Sequence, residues 1–306
     1  NMVVPSVMSV VMMSLDVVFN FFLIFPTRPV ELFGTQIMMP GMGMGVVGAA
    51  IGTVSAELVA ASITMYILCF RSKELSLRID TGRFLPTWGV VKRALHISLP
   101  MGLQQTIMCS AYVMTTIIIA PLGTFAIAAN SFGIIIESLC YMPGYGIADA
   151  ATTLVGQSIG AGRHELMKRF AWLSVGLGVT VMAVMGVVMY VGAPVAMAMM
   201  TPAEEVRRLG VEVLRIEAFA EPMFAAAIVS YGVFVGAAKT LVPSIMNLIS
   251  IWGVRISLAA LLAPSMGLRG VWIAMCIELC FRGLIFLVKL KFWNIQTSCK
   301  HYGKDQ

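Results

Sequence analysis

Polar positions divide this chain into eight long apolar runs, at about 3–25, 47–70, 95–120, 128–157, 171–199, 210–235, 241–263 and 271–290. Most reach the roughly 20 residues that a helix needs to cross about 30 Å of hydrocarbon. Period-2 alternation is absent, and glycine, alanine and methionine are abundant, so strands are a poor alternative. Backbone in lipid must satisfy its own hydrogen bonds, which leaves continuous helices as the predicted elements. The chain therefore reads as an all-α polytopic membrane protein.

The pattern also repeats. Pro5-Ser-Val-Met8 is echoed by Pro243-Ser-Ile-Met246, and each is followed by an apolar run, a short connection and a glycine pair, Gly45/Gly48 or Gly267/Gly270. Each pair opens another run with a glutamate inside it, Glu57 or Glu278. Four further runs precede the second occurrence and none precedes the first. The asymmetry predicts a two-lobed bundle whose first lobe lacks its beginning. Asn1 follows no basic n-region or cleavage site, so the first run reads as a span and not as a signal peptide.

Composition strengthens the membrane reading. Hydrophobic residues make up 59% of the 306 and charged residues 12%, about half the charge of a soluble domain, with mean hydropathy +0.90. A net charge of +6 raises the question of nucleic acid, but its distribution answers against it. Arg71, Lys73, Arg78, Arg83, Lys92 and Arg93 cluster between the second and third runs against Glu74 and Asp80. Arg163, Lys168 and Arg169, then Lys239, then Lys289, Lys291, Lys300 and Lys304 fall on the same side by parity. By the positive-inside rule that side is cytoplasmic, and both ends of the chain lie there. The six cysteines sit mainly within apolar runs and read as small buried hydrophobes, with no metal cluster.

Ionisable groups deep in a span are costly and mark candidate sites. Asp16 and Asn20 are four apart on one helical face, a carboxylate and a neutral oxygen ligand for a proton or small cation, or a packing pair. Glu217 and Glu221 lie one turn apart before Pro222, an arrangement in which repulsion favours holding a proton. The duller alternative pairs Glu217 with Arg215 or Arg255. Cavity candidates are Glu57, Glu137, Asp149 and Arg255. Arg255 needs a carboxylate partner, with Glu217, Glu221 and Glu278 all open. Glu278 and Arg282, four apart, read as a structural pair. Pro143 predicts a bend in the fourth span.

Several segments resemble the multidrug and toxic compound extrusion transporters, the MATE family. The most specific are Ala150-Ala-Thr-Thr-Leu-Val-Gly-Gln-Ser-Ile-Gly-Ala-Gly-Arg163, Leu214-Arg-Ile216, Gly236-Ala-Ala-Lys-Thr240 and Gly267-Leu-Arg-Gly-Val-Trp-Ile-Ala274, with Gly45-Val-Val-Gly-Ala-Ala50 in the first part. The resemblance implies a two-lobed helical bundle with about eight of an expected twelve helices. Residues 1–70 would then supply the last two helices of the N-terminal lobe and 71–94 a cytoplasmic linker. Residues 95–290 would form a six-helix C-terminal lobe and 291–306 a cytoplasmic tail. Asp16 and Asn20 fall where the family has Asn and Asp in its first-lobe cation site. Where some sodium-coupled members carry a glutamate this chain has Gln104, Gln105, Thr106 and Met108, and where they carry an aspartate it has Met223 to Ala227. Both departures favour protons, or coupling through the first lobe.

The implied function is secondary active efflux of cationic or amphipathic drugs and toxic compounds, by antiport with protons or sodium ions. The expected setting is the cell's inner membrane, with the bilayer and small organic cations as partners, no nucleic acid, no cofactor beyond the coupling ion, and a monomer. A lipid-linked sugar flippase of related architecture needs a more basic cavity. A non-transporting structural or binding membrane fragment is the rival from another class. No nucleophile and base fall at an identifiable spacing, so an enzyme is the reading the sequence supports least.

Overall fold

The structure is a computed structural model that describes residues 3–32, 35–71 and 87–293. Most of the expected linker, residues 72–86, and most of the expected tail, residues 294–306, lie outside the described residues. Two compact units meet in sequence at Pro86 and Thr87. Among the described residues seven helices are long and apolar enough to cross a membrane, or eight if one bent pair counts as a span.

The first unit holds α1 (Val3–Ile24) and α2 (Gly45–Tyr66), which continues into a π turn at Ile67–Arg71. Small residues explain their close packing: Gly48, Gly52, Ala56 and Ala60 recur every fourth position and form the buried stripe of α2. A Cβ at Gly48 would overlap the Leu23 carbonyl of α1. Where the sequence predicts only a short connection, the structure has a β-hairpin, β1 (Pro26–Leu32) paired antiparallel with β2 (Thr35–Met42). Pro26, Pro29 and Pro40 argue against a strand inside a sheet, but a two-stranded ribbon consists only of edges, where a missing N–H is tolerated. At its irregular base, the Thr27 hydroxyl donates to the Gly41 carbonyl at 3.1 Å and accepts from the Gly41 N–H at 3.2 Å.

The hairpin also makes the two copies of the repeat unequal in length. Gly267 in the second copy follows its helix directly, whereas Gly45 waits for the ribbon to return. Both glycines have positive φ, 55° and 61°, so both restart a helix through a conformation that other residues adopt at a cost. Gly270 then packs against the Leu262 carbonyl as Gly48 does against that of Leu23.

The second unit contains α3 (Trp88–Ile119), α4 (Thr124–Gly160), α5 (His164–Met200), α6 (Glu204–Glu217) and α7 (Glu221–Gly236). Next come α8 (Leu241–Leu248), a π-helical segment (Ile249–Ile256), α9 (Ser257–Met266) and α10 (Leu268–Lys291). Helix α3 starts within the expected linker. The 37 residues of α4 and of α5 exceed what about 30 Å of hydrocarbon requires.

Helix α4 runs unbroken through Pro143. A break with a sharp bend lies between α6 and α7, which meet at 60°. Pro222 sits in the first turn of α7, where a missing N–H costs nothing because that position has no helical acceptor. A tight turn closes the joint, with the Ala220 N–H on the Glu217 carbonyl at 2.8 Å. This break places Glu217 at the end of one helix and Glu221 at the start of the next.

Two buried apolar clusters pack the second unit. One gathers Ile119, Met189, Met197, Leu214 and Trp272, the other Val155, Met167, Met182, Val229 and Leu279. Helices α4 and α7 touch backbone to backbone: the Thr152 hydroxyl donates to the Gly232 carbonyl at 2.8 Å, and a Cβ at Gly232 would meet the Ala148 carbonyl at 2.6 Å. Cys109, Cys140, Cys276 and Cys280 are free thiols; Cys69 and Cys140 are buried, whereas Cys109 is exposed.

Candidate functional site

Helical periodicity gives α4 a polar face in an otherwise apolar helix. Asn130, Glu137, Tyr141 and Tyr145 follow one another at one or two turns and look into a cavity of about 70 Å³. Helix α3 contributes Tyr112, the π segment Arg255, and α10 Trp272 and Arg282. The Trp272 indole N–H donates to Asn130 Oδ1 at 3.1 Å, and Tyr141 stacks edge-on against Phe224 with centroids 5.6 Å apart. The wall is thus aromatic, with one carboxylate and two guanidiniums among its lining groups.

The arginines are held by a single acid. Glu278 is fully buried, and its Oε1 accepts from the Ser250 hydroxyl at 2.5 Å. Its Oε2 accepts from Arg255 Nε at 3.1 Å and from Arg282 Nη2 at 3.0 Å, and Arg282 Nε lies 2.9 Å from Oε1. Arg282 also lies over the Phe224 ring, 5.5 Å from its centroid. The partner for Arg255 is therefore Glu278, shared with Arg282. A π segment is a frequent means of presenting a functional side chain from within a helix, and Arg255 comes from one.

Glu137, 5% exposed, faces the same cavity as both guanidiniums. Glu217 and Glu221 are each 1% exposed, and no oxygen of either has a hydrogen-bond partner among the described residues. Glu217 pairs with neither arginine considered for it: Arg215 lies over the Tyr190 ring at 5.2 Å and Arg255 is taken by Glu278. Glu217 still lies within electrostatic reach of Glu137, Arg255, Glu221 and Glu278. Glu221 packs against α5, where a Cβ at Gly186 would come within 3.3 Å of its own Cβ. Glu137, Glu217 and Glu278 thus lie within electrostatic reach of Arg255, and Glu221 within reach of Glu137. Ionised and unaccompanied, Glu217 and Glu221 would each cost several kcal/mol in such surroundings.

In the first unit, Asp16 and Asn20 are half-buried on α1, and the Oδ1 atom of each is buried without a hydrogen-bond partner among the described residues. Asn20 Oδ1 lies against Gly52 of α2, the one site on the stripe where a side chain of α1 needs a missing Cβ. Glu57 is exposed on α2 and Asp149 on α4, and neither lines the cavity of the second unit. Gln104 has a structural place: its Oε1 accepts from the Tyr231 hydroxyl at 3.0 Å and from the Ser244 hydroxyl at 2.5 Å, tying α3 to α7 and α8. No group of three or more His, Cys, Asp or Glu side chains among the described residues is arranged to hold a metal ion.

Sequence reasoning missed Tyr112, Asn130, Tyr141, Tyr145, Trp272 and Ser250. The i, i+4 spacing of Tyr141 and Tyr145 one turn from Glu137 was the available signal. Ser250 had none, since a serine in an apolar run bonds its own helix as often as another.

The fold and site define a multi-pass helical membrane protein with buried ionisable groups around an inner cavity. Comparison with known proteins makes the assignment specific. The MatE family model matches residues 100–261, more than half of the chain, and the chain belongs to that family of transporters. Among curated relatives, the probable multidrug resistance protein NorM of Thermotoga maritima is 29% identical over 250 residues, 80% of this chain and 53% of that protein. The NorM of Brucella suis is 30% identical over 240 residues, 75% of this chain and 50% of that protein. The chain thus spans about half the length of these relatives. Its fold matches the outward-facing conformation of a multidrug resistance MATE family transporter with a TM-score of 0.82 at 19% identity, over 96% of this chain and 62% of the other. It matches the Vibrio cholerae MATE transporter VcmN, in its bent form, with a TM-score of 0.77 at 18% identity, over 95% of this chain and 62% of the other.

Proposed function

We propose that this chain is the greater part of a secondary carrier that exports cationic or amphipathic compounds in exchange for entering protons. The observation that carries the reading is the pair Glu217 and Glu221, buried and without hydrogen-bond partners among the described residues, with Glu137 of the cavity wall within electrostatic reach of both. A proton removes the cost of each buried carboxylate, and its departure restores a negative charge that draws a cationic cargo. Occupation by proton and by cargo are thereby made to compete, which is what antiport requires. Sodium remains the alternative ion, and Asp16 with Asn20 is the pair through which the first unit would take part.

The cavity's charge supports a cationic cargo over a phosphate-linked sugar. Glu278 and Glu137 together offset the two arginines that reach the wall, so a deprotonated Glu217 or Glu221 leaves the cluster net negative. The inner membrane and a monomer complete the proposal, and the basic loops support cytoplasmic ends. The test uses the full-length protein in sealed vesicles, with dye or organic-cation movement followed under separate pH and sodium gradients. A pH gradient should drive export, and Glu221→Gln should abolish it; Asp16→Asn reports whether the first unit shares the coupling. Movement driven by neither gradient overturns antiport.

A further inference from the structure

Away from that site, positive charge collects in a second cavity. The start of α5 and the end of α10 come together there around a pocket of about 180 Å³ lined by Met167, Lys168, Trp172, Leu290, Lys291 and Trp293. A single bound water needs only about 10–15 Å³ on this measure. Two ammonium groups line the pocket, and neither has an ion-pair partner among the described residues. A third donor is the Trp293 indole N–H, which is buried and has no acceptor among the described residues. Indole nitrogen can only donate. The lining thus offers donors and positive charge with no acceptor side chain to match them.

Apolar walls accompany this polar set. Met167 is 1% exposed and Leu290 5%, the Trp293 ring packs on Phe234 with centroids 5.1 Å apart, and Trp172 is 47% exposed on the outer face of α5. Tryptophan at a helix end beside lysines is the composition of a membrane–water boundary. Basic pockets between helix ends at that level suit an anionic headgroup, with acyl chains running along the neighbouring apolar surface.

We infer that Lys168, Lys291, Trp172 and Trp293 form a binding site for the phosphate of an anionic phospholipid headgroup. The lysines neutralise the phosphodiester, the Trp293 indole N–H supplies a directed hydrogen bond, and Trp172 borders the acyl chains. The site is independent of transport and of the acidic cluster, so either assignment stands if the other fails.

The test places the full-length protein in nanodiscs with phosphatidylglycerol or phosphatidylcholine carrying a nitroxide high on the acyl chain, and reads tryptophan quenching. Labelled phosphatidylglycerol should quench more strongly than labelled phosphatidylcholine at equal mole fraction. Its advantage should fall about five-fold for each lysine replaced, as expected for one basic side chain at an anionic surface, in Lys168→Gln and Lys291→Gln. Replacement of both by arginine should keep it. Lys239→Gln with Lys289→Gln removes the same charge from exposed positions outside the pocket and should leave the preference unchanged. Equal quenching by the two lipids overturns the site, as does an equal loss in the Lys239/Lys289 variant, which would mean a diffuse surface effect. Displacement of the labelled lipid by millimolar inorganic phosphate also overturns it, in favour of a free-phosphate site. Native mass spectrometry, counting retained phosphatidylglycerol, gives a second reading if a variant folds poorly.

Discussion

Arg255 reaches Glu278 from a different helix, Nη2 standing 2.8 Å from Oε2, and the carboxylate it meets is wholly buried. Arg282 engages the same acid from one turn further along α10. Glu278 is thus the hinge of a three-residue ion cluster, and the three members are not equivalent. Removing Glu278 leaves the buried Arg282 and the largely buried Arg255 without the acid they share. Removing Arg255 leaves an acid that still has Arg282 and the Ser250 hydroxyl.

The first prediction follows from that inequality. Glu278→Gln should destabilise the second unit by about 3–5 kcal/mol, the usual cost of stranding a buried charge, while Arg255→Gln should cost clearly less. Thermal unfolding in detergent, followed by size-exclusion recovery after heating, ranks the two. An equal loss would mean that Arg282 does not hold Glu278 alone.

A second prediction concerns the wall of the cavity that Glu137 lines. The Trp272 indole donates to Asn130, both buried, and a Cβ at Gly133 would stand only 2.9 Å from the Trp272 ring. Asn130→Leu strands the indole N–H at a cost of about 1–3 kcal/mol. Gly133→Ala keeps the bond partner but displaces the ring. Both should lower the melting temperature, and only Gly133→Ala should require the tryptophan to move, which its fluorescence will report.

Helix packing supplies a third. A Cβ at Gly283 of α10 would overlap the Met223 carbonyl of α7, while one at Gly146 of α4 would meet nothing within 4 Å. Gly283→Ala should cost about 1–3 kcal/mol through overpacking, and Gly146→Ala should be neutral or slightly stabilising as helix propensity improves. Unfolding midpoints of the two alanine variants decide it.

Much of this architecture was legible because lipid imposes a length on helices. The runs from 3 to 25 and from 271 to 290 match α1 and α10 to within a few residues, since nothing but an apolar helix of that length is stable there. The Pro5 and Pro243 echoes were legible for the same reason. The hairpin was not: it lies outside the constraint, and its three prolines argue locally against strands that only pairing creates. Pro143 and Pro222 carry the same covalent restriction, yet only Pro222 stands at a break between helices. The difference lies in position within the helix, which the surrounding sequence does not fix. Likewise, Arg255 had three acids within reach along the chain, and only the packing of the π segment against α10 selects Glu278.

The strongest prediction sets identical chemistry against two surroundings. Glu217, Glu221 and Glu278 are all buried glutamates, 1%, 1% and 0% exposed, and glutamine replaces each at nearly constant shape. Glu278 is saturated by two guanidiniums and a hydroxyl, so its amide analogue loses charge where charge is needed. The oxygens of Glu217 and Glu221 have no hydrogen-bond partner among the described residues, so their amides remove an uncompensated charge and break no bond. Glu217→Gln and Glu221→Gln should therefore leave the unfolding midpoint unchanged or raise it, whereas Glu278→Gln lowers it. In vesicles the order inverts: the two folded variants should lose exchange driven by a pH gradient by about ten-fold or more, because a group that cannot release a proton cannot couple to one. Full pH-driven exchange in the double variant Glu217→Gln/Glu221→Gln would remove both residues from the coupling site. Loss of folding in either single variant would show instead that these acids are held ionised by a partner.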